Sequence, residues 1–411
     1  MRPIVAEGCA SRNVTIAPLR ERAAPATGGR GGWAAHRAGG AILRETRTAR
    51  VARPSRRYTG RVTTERAATG IRDLVAAVGQ GPTHGRSLTR AEARRALDAI
   101  LDGEATPAQA GALLLLQRYR GESADELLGY ADALRARAAP FRPRVEGLLD
   151  IGSPYDGRTK HVVVSPAASI VAAAAGVPVL MHGERDLGPK RGIAVGDVLS
   201  ALGVDTDLPA EAVARGIEAC GLGYLRQARA LPAMHAILPL RQELGLRTPL
   251  HMVEKLYDLG QAPYHLVGVA HMPYVRLLQP FAAGAGFRRT MIVQGMEGHE
   301  DVATSRGARV VEIADGGEPE EWRFDAAEHG IAPATDDDLA PGDAVRSAEM
   351  TLRALEGAGT PGERGLVLVN AALRIKLAGR APDLRAALAA ARAAVESGAA
   401  RAKLDAWRAV A

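Results

Sequence analysis

From Val145 onward the sequence alternates between short apolar runs and alanine-rich stretches, and that alternation leaves few folds open. "GLLDIG" (147–152), "VPVLMHG" (177–183), "YHLVGVA" (264–270), "RTMIVQG" (289–295) and "ARVVEI" (308–313) read as strands, and the alanine-rich segments between them as helices. Strands that alternate with helices build a mainly parallel sheet covered by those helices. Upstream, residues 71–145 look helical. "LTRAEARRALDAIL" (88–101) sets Thr89 three residues before Glu92, a capping box, with Leu97, Ile100 and Leu101 on one face and Gly103 as the stop. "TPAQAGALLLLQRYRG" (106–121) has Thr106 as cap, Pro107 at the first helical position and Gly121 at the end, and "SADELLGYADALRARAA" (123–139) opens on a cap residue again. "RGLVLVNAALRIKLAG" (364–379) and residues 386–405 read as closing helices. The expected fold class is α/β: a small N-terminal all-helical domain over residues 67–145, then a large mainly parallel α/β domain over 146–411.

Residues 1–66 show no sustained period and read as a disordered, Arg-rich extension. Their charge is distinctive. Residues 1–60 hold 12 Arg, no Lys and 3 Glu, a net of +9 against +7 for the whole chain, so the remainder sums to −2. The basic character belongs to the leading segment, and a high overall isoelectric point does not by itself argue for nucleic acid. "TGGRGGW" (27–33) resembles a nucleic-acid tail, while a solvated tail, a start assigned too early and an Arg-rich transit peptide are the alternatives. Aromatic residues make up only 4% of the chain, so alanine and leucine must fill most of the core, which favours helices. Cys9 and Cys220 are far apart and form neither a metal spacing nor a disulfide framework, so a reducing cytoplasm is expected. The longest apolar run, Ile170 to Met181, is too short to span a bilayer, and no membrane association is expected.

The stretch "DIGSPYDGRTKH" (150–161) poses the functional question. A strand running into a glycine-containing turn is where phosphate-binding loops are built, from successive backbone N–H groups aimed at an anion. Pro154 has no N–H to offer, and Tyr155 places a ring where such a loop wants bare backbone.

Taken with "HGER…K" (182–190), "PAMHAILPLRQELGLRT" (232–248) and "LVNAALRIKLAG" (368–379), the order of motifs resembles the anthranilate phosphoribosyltransferase family, also called glycosyl transferase family three and related to pyrimidine nucleoside phosphorylases. The resemblance runs from about residue 71 to the end and implies a helical domain that supplies a homodimer interface. The family's Gly-Thr-Gly-Gly-Asp loop, which cradles the pyrophosphate of phosphoribosyl pyrophosphate (PRPP), corresponds to Gly152, Ser153, Pro154, Tyr155 and Asp156. Its Lys-His-Gly-Asn-Arg and Ser-Ser-Lys motifs correspond to Met181, His182, Gly183, Glu184 and Arg185, then Gly188, Pro189 and Lys190. The resemblance implies a phosphate-binding or nucleic-acid-binding set of Gly152, Asp156, Ser165, His182, Arg185 and Lys190. Glu184 is expected to repel phosphate there, and Arg185 to grip phosphate or to pair with Glu184 or Asp186. In the acceptor region Arg241 and Arg247 are kept, whereas the family's Gly-Pro has become Glu254-Lys255 and its histidine Leu231. The family's metal-binding Asp-Glu pair corresponds to Glu300 and Asp301, in reversed order, and implies Mg²⁺.

Three functions follow. A divergent transferase would stabilise departing pyrophosphate by positioning and electrostatics. A nucleic-acid-binding homodimer would match the "SPYDGR" loop, which resembles the YbiB-like branch of the family, a branch that keeps the fold without the transferase activity. A structural or regulatory dimer would bind neither. The altered cradle ranks the nucleic-acid-binding homodimer first.

Overall fold

The computed structural model describes residues 70–410, apart from Pro82 and Gly316. The extension expected over residues 1–66 lies outside the described residues.

Four helices come first: Ile71–Gly79, Arg90–Leu101, Pro107–Arg120 and Ala124–Arg135. The last three each open on a reciprocal capping box, Thr89 with Glu92, Thr106 with Gln109 and Ser123 with Glu126. Glu126 does more than cap. It is fully buried and accepts from Leu88 N, from Gln117 Nε2 and from Arg120 Nη2, which ties three of the helices together. Ile71–Gly79 is a helix beyond the three motifs read from the sequence.

The remainder builds one sheet, of seven strands among the described residues. They are β1 (Leu149–Gly152), β2 (Val179–Gly183), β3 (Leu222–Arg226), β4 (Tyr264–Val269), β5 (Arg289–Gln294), β6 (Ala308–Ala314) and β7 (Glu320–Phe324), in the spatial order β3-β2-β1-β4-β5-β6-β7. β1 to β5 pair in parallel, while β6 and β7 add antiparallel at one edge. The fold is thus a small helical domain with a large, mostly parallel α/β sheet, as the alternation of segments requires. Two strands escape the pattern. β3, "LGYLR", is short and begins on a helix-terminating glycine turn, and β7, "EEWRF", is an edge strand whose Glu320, Glu321 and Arg323 are exposed.

Each inner strand buries both faces, as parallel strands must. Leu149, Ile151, Val179, Met181, Met291 and Val293 face a core shared with helices Ser165–Ala174, Pro361–Leu377 and Leu384–Glu396. Leu148, Leu180, Val267, Val269 and Ile292 face a second core shared with the helical domain and helix Pro273–Ala285. β1 lies between β2 and β4, so the connections diverge at its carboxyl end. That crevice is where open α/β sheets bind ligands.

The sheet also fixes the loop after β5. Gly268 lies in β4, and a Cβ built on it would fall 1.8 Å from His299 O and 2.5 Å from Glu300 N. Gly268→Ala therefore displaces the backbone that carries Glu300 and Asp301. The expected loss of stability is about 2 kcal/mol or more, read as a lower urea midpoint at unchanged slope. A midpoint equal to that of wild type would contradict this packing.

Candidate functional site

β1 ends at Gly152, where any side chain would meet Lys255 O at 2.5 Å and the His265 ring at 3.0 Å. The chain then turns through Ser153, Pro154, Tyr155 and Asp156. Tyr155 is buried at 3% exposure. Its hydroxyl lies 2.6 Å from His182 Nδ1 and also bonds the Tyr257 hydroxyl. His182 Nε2 lies 2.8 Å from Asp150 Oδ1. With the Asp150 carboxylate accepting, the imidazole donates from Nε2 and accepts at Nδ1, so Tyr155 donates to His182 and Tyr257 donates to Tyr155. Burial pushes both phenols well above their ordinary range and keeps them neutral donors. A polar chain, Asp150–His182–Tyr155–Tyr257, thus runs from the carboxyl ends of β1 and β2, and the ring of Tyr155 packs into the core shared with the helical domain.

Gly157 has φ +71, and a Cβ there would lie 2.4 Å from Gly192 O, so only glycine passes this point. Arg158 then turns inward and is fully buried, donating to Val162 O at 3.1 Å and to Asp301 Oδ2 at 2.5 Å. Arg374, from helix Pro361–Leu377, is equally buried and donates to Asp301 Oδ1 at 3.0 Å and to Ser165 Oγ at 2.9 Å. Glu300 accepts from Ser153 Oγ at 2.6 Å. Burial opposes the ionisation of Glu300, but Arg158, Arg374 and the Ser153 hydroxyl hold its carboxyl below the usual range. Burial and the Glu300 charge push Asp301 the other way.

Glu300 and Asp301 are therefore adjacent, as expected, and Ser165 lies beside them. Their oxygens are nearly all spoken for. Both Asp301 oxygens are on guanidinium groups, and only Glu300 Oε2 lacks a protein donor. Mg²⁺ wants an octahedron of oxygens, and as arranged this pair offers it one uncommitted oxygen beside two fixed positive charges. Among the described residues no cluster of three His, Cys, Asp or Glu side chains suits a metal ion. The donor set does not fit the ion without displacing an arginine.

The other nominated cations are likewise engaged. Arg247 donates Nε and Nη2 to Asp156 Oδ2, at 2.9 and 2.6 Å. Lys190 pairs with Glu297 at 3.1 Å. Arg241 makes a buried two-pronged contact with Glu254, at 2.5 and 2.8 Å. Glu254 stands where the family resemblance places glycine, so the arginine expected to read an acceptor carboxylate reads this one instead. Arg185 pairs with neither expected partner. Its guanidinium reaches the hydroxyls of Ser200 and Thr206, while Arg226 takes Glu184 at 2.6 Å and Arg191 takes Asp186. Glu184 also accepts from Arg185 N, Ala228 N and His235 Nδ1. Its charge is thus spent inside the protein, and the expected repulsion of phosphate is largely quenched.

A cleft of about 210 Å³ remains beside the turn, lined among others by Tyr155, Arg247, His251, Lys255, Arg118 and Tyr274. Arg158, Tyr257, Glu297 and Arg374 are site residues that sequence reasoning missed, and Lys255 was named there only as a departure from the family's Gly-Pro. Arg158 and Arg374 each left a signal: an arginine directly after the glycine turn, and another flanked by Leu373 and Ile375 in its helix.

The fold and this crevice define a protein with a helical domain and a mostly parallel α/β domain whose candidate ligand site lies at the carboxyl ends of the strands, and comparison with known proteins is specific. The description "Glycosyl transferase family, helical bundle domain" matches residues 72–138, and "Glycosyl transferase family, a/b domain" matches residues 154–401. The chain is 40% identical to an anthranilate phosphoribosyltransferase of Anaeromyxobacter dehalogenans, over 78% of this chain and 94% of that protein. It is 35% identical to that of Rubrobacter xylanophilus, over 78% and 93%. The crystal structure of anthranilate phosphoribosyltransferase from Thermus thermophilus superposes with a TM-score of 0.73 at 30% identity, covering 83% of this chain and 98% of that one. The Saccharomyces cerevisiae enzyme in complex with PRPP and Mg shares the fold, with a TM-score of 0.70 at 17% identity over 83% and 97%. The chain belongs to glycosyl transferase family three, among the homologues of anthranilate phosphoribosyltransferase.

Two outcomes follow from the site's charges. Asp301→Ala takes from Arg158 its carboxylate partner and leaves Arg374 only Glu300 at 3.9 Å, and should cost about 3–5 kcal/mol in chemical denaturation, whereas loss of a solvated acid would cost almost nothing. For Glu297, burial opposes ionisation, but the N–H groups of Lys160 and Thr159 and the Lys190 ammonium outweigh it and hold the carboxyl at about 2, against 4.5 normally. A depressed carboxyl stabilises the fold above its unfolded pKa and loses that contribution as the pH falls through its folded pKa. Wild type should therefore lose stability between pH 4.5 and about 2, and Glu297→Gln should lose less across that window. Identical pH profiles would contradict the assignment.

Proposed function

We propose that this chain does not transfer phosphoribose, and that it is a nucleic-acid-binding homodimer built on the family's fold, with a degraded PRPP cradle, in the manner of the YbiB-like branch. One observation carries the first part. Tyr155 stands in the turn that would cradle pyrophosphate, where the family has glycine, and its side chain is anchored in the core by His182 and Tyr257. Pro154 removes a backbone donor beside it. Arg158 and Arg374 supply Asp301 with the positive charge that a metal ion would otherwise bring.

The nucleic-acid part rests on charge. Because Lys190, Arg241 and Arg247 are paired with carboxylates and Arg185 is bound to hydroxyls, phosphate contacts are expected mainly from the leading segment, with its net +9 over residues 1–60. With no base-reading motif in view, such contacts bind without strong sequence preference. The homodimer is supported by an outward face of helix Pro107–Arg120. Ala112 is exposed, Leu115 half-buried, and Tyr119 exposed at 94%, at the spacing of one helical stripe.

A divergent transferase is the competing reading. It is favoured by the identity to curated enzymes and by the uncommitted Glu300 Oε2. Side-by-side assays with the Thermus enzyme separate the two. Removing one preorganised donor costs about 10²–10³ in rate, and several are altered here. Transfer from PRPP to anthranilate should fall at least roughly 10⁴-fold below that enzyme, and turnover within tenfold of it would overturn the proposal. In parallel, the full chain should bind duplex or single-stranded DNA with an affinity that falls steeply with salt, and removing residues 1–66 should flatten that slope. A full-length protein that binds neither DNA nor RNA at about 50 mM salt overturns the nucleic-acid part.

A further inference from the structure

Lys255 is one of only five lysines in a chain whose positive charge is otherwise arginine. It follows helix Pro249–Val253, is 6% exposed, and lines the 210 Å³ cleft beside Arg247 and His251. Its ammonium donates to Gly268 O at 2.7 Å, and among the described residues no carboxylate lies within ion-pairing distance of it. The acids closest in effect, Asp156 and Glu300, are bound to Arg247 and Ser153.

An isolated buried ammonium is costly, and the cost falls when the group gives up its proton. Burial is the largest influence on Lys255. Arg247 and Lys190 act in the same direction, Glu300 and Asp156 oppose them, and the ammonium titrates at about 8 rather than 10.5. Desolvation and a neighbouring cation are the two conditions that turn a lysine into a nucleophile. The other lysines lack this setting. Lys190 and Lys376 are paired with Glu297 and Glu312, Lys160 is exposed, and Lys403 is half-buried on the last helix.

We propose that Lys255 is an imine-forming lysine whose amine condenses with a small oxo acid in the cleft, the acid group being met by Arg118 and Arg247. Asp156 takes Nε and Nη2 of Arg247, which leaves Nη1 uncommitted, and Arg118 uses only Nη1, on Tyr274 Oη at 3.0 Å and Glu122 at 3.5 Å, which leaves its Nη2. The step balances without any oxidant or reductant. The Nζ lone pair attacks the carbonyl carbon, and the C=O pair moves onto oxygen. One proton passes from nitrogen to that oxygen, giving a carbinolamine. Loss of its hydroxyl with the second nitrogen proton releases water and leaves C=N. The Gly268 carbonyl fixes the direction of the attacking amine. None of this depends on whether the neighbouring turn binds PRPP.

Reductive trapping tests it. The full-length protein is exposed briefly to glyoxylate and cyanoborohydride at neutral pH, digested, and the carboxymethyl adducts mapped by mass spectrometry. A drop of this size in pKa raises the neutral amine fraction by well over an order of magnitude. Lys255 should accordingly carry at least about tenfold more adduct than the average of the other four lysines. The preference should vanish when the protein is labelled in urea. Lys255→Arg, which keeps the charge and cannot form the imine, should leave only the background on the remaining lysines. Because the wild-type map alone decides, a variant that fails to fold does not weaken the test. Adducts on Lys160 and Lys403 with Lys255 unmodified, or equal labelling of all five in the folded protein, would overturn the proposal.

Discussion

A charge taken out of water must find a counter-charge, and in the cleft of this protein the chain itself supplies nearly all of them. Asp301 lies between two fully buried arginines, Arg241 is clamped by Glu254, Glu184 is held by Arg226, and Asp156 by Arg247. The carboxyl ends of the parallel strands depend on these pairs, because they tie the turn after β1, the loop after β5 and helix Pro361–Leu377 to one another. In this arrangement each of these groups is held by a protein partner.

The same logic links the substitutions. Glu254 appears opposite Arg241, so the two form a neutral pair where an acceptor arginine alone would need a ligand's carboxylate. Tyr155 brings bulk into a glycine turn, and His182 and Tyr257 satisfy its hydroxyl. Tyr155, Glu184 and Glu254 each come with a partner for the polar group they bring. Lys255 is the exception, a buried cation given only a carbonyl, and it faces the space that remains.

Much of the fold could be read from residue patterns, because helix caps and apolar strands are local signals. The capping boxes at Thr89, Thr106 and Ser123 needed only a four-residue window, and the five apolar runs each became a strand. β7 could not be read this way, because an edge strand exposes its polar side and loses the apolar run. At the site, the sequence exposed Pro154 and Tyr155 as misfits and brought Glu300, Asp301 and Ser165 together. It could not tell which charge meets which. Arg158 and Asp301 are 143 residues apart, and Arg374 reaches Ser165 across 209. Proximity in the chain misled for Arg185, whose neighbours Glu184 and Asp186 are taken by Arg226 and Arg191.

Calorimetric titration of PRPP tests directly the proposal that the turn after β1 no longer binds it. The full-length protein is titrated with and without Mg²⁺, beside a double variant, Pro154→Gly with Tyr155→Gly, that restores bare backbone to the turn. No saturable heat is expected for wild type up to about 1 mM PRPP, a limit of roughly −4 kcal/mol of binding free energy, with or without Mg²⁺. Micromolar, Mg²⁺-dependent binding by the wild-type protein would contradict it.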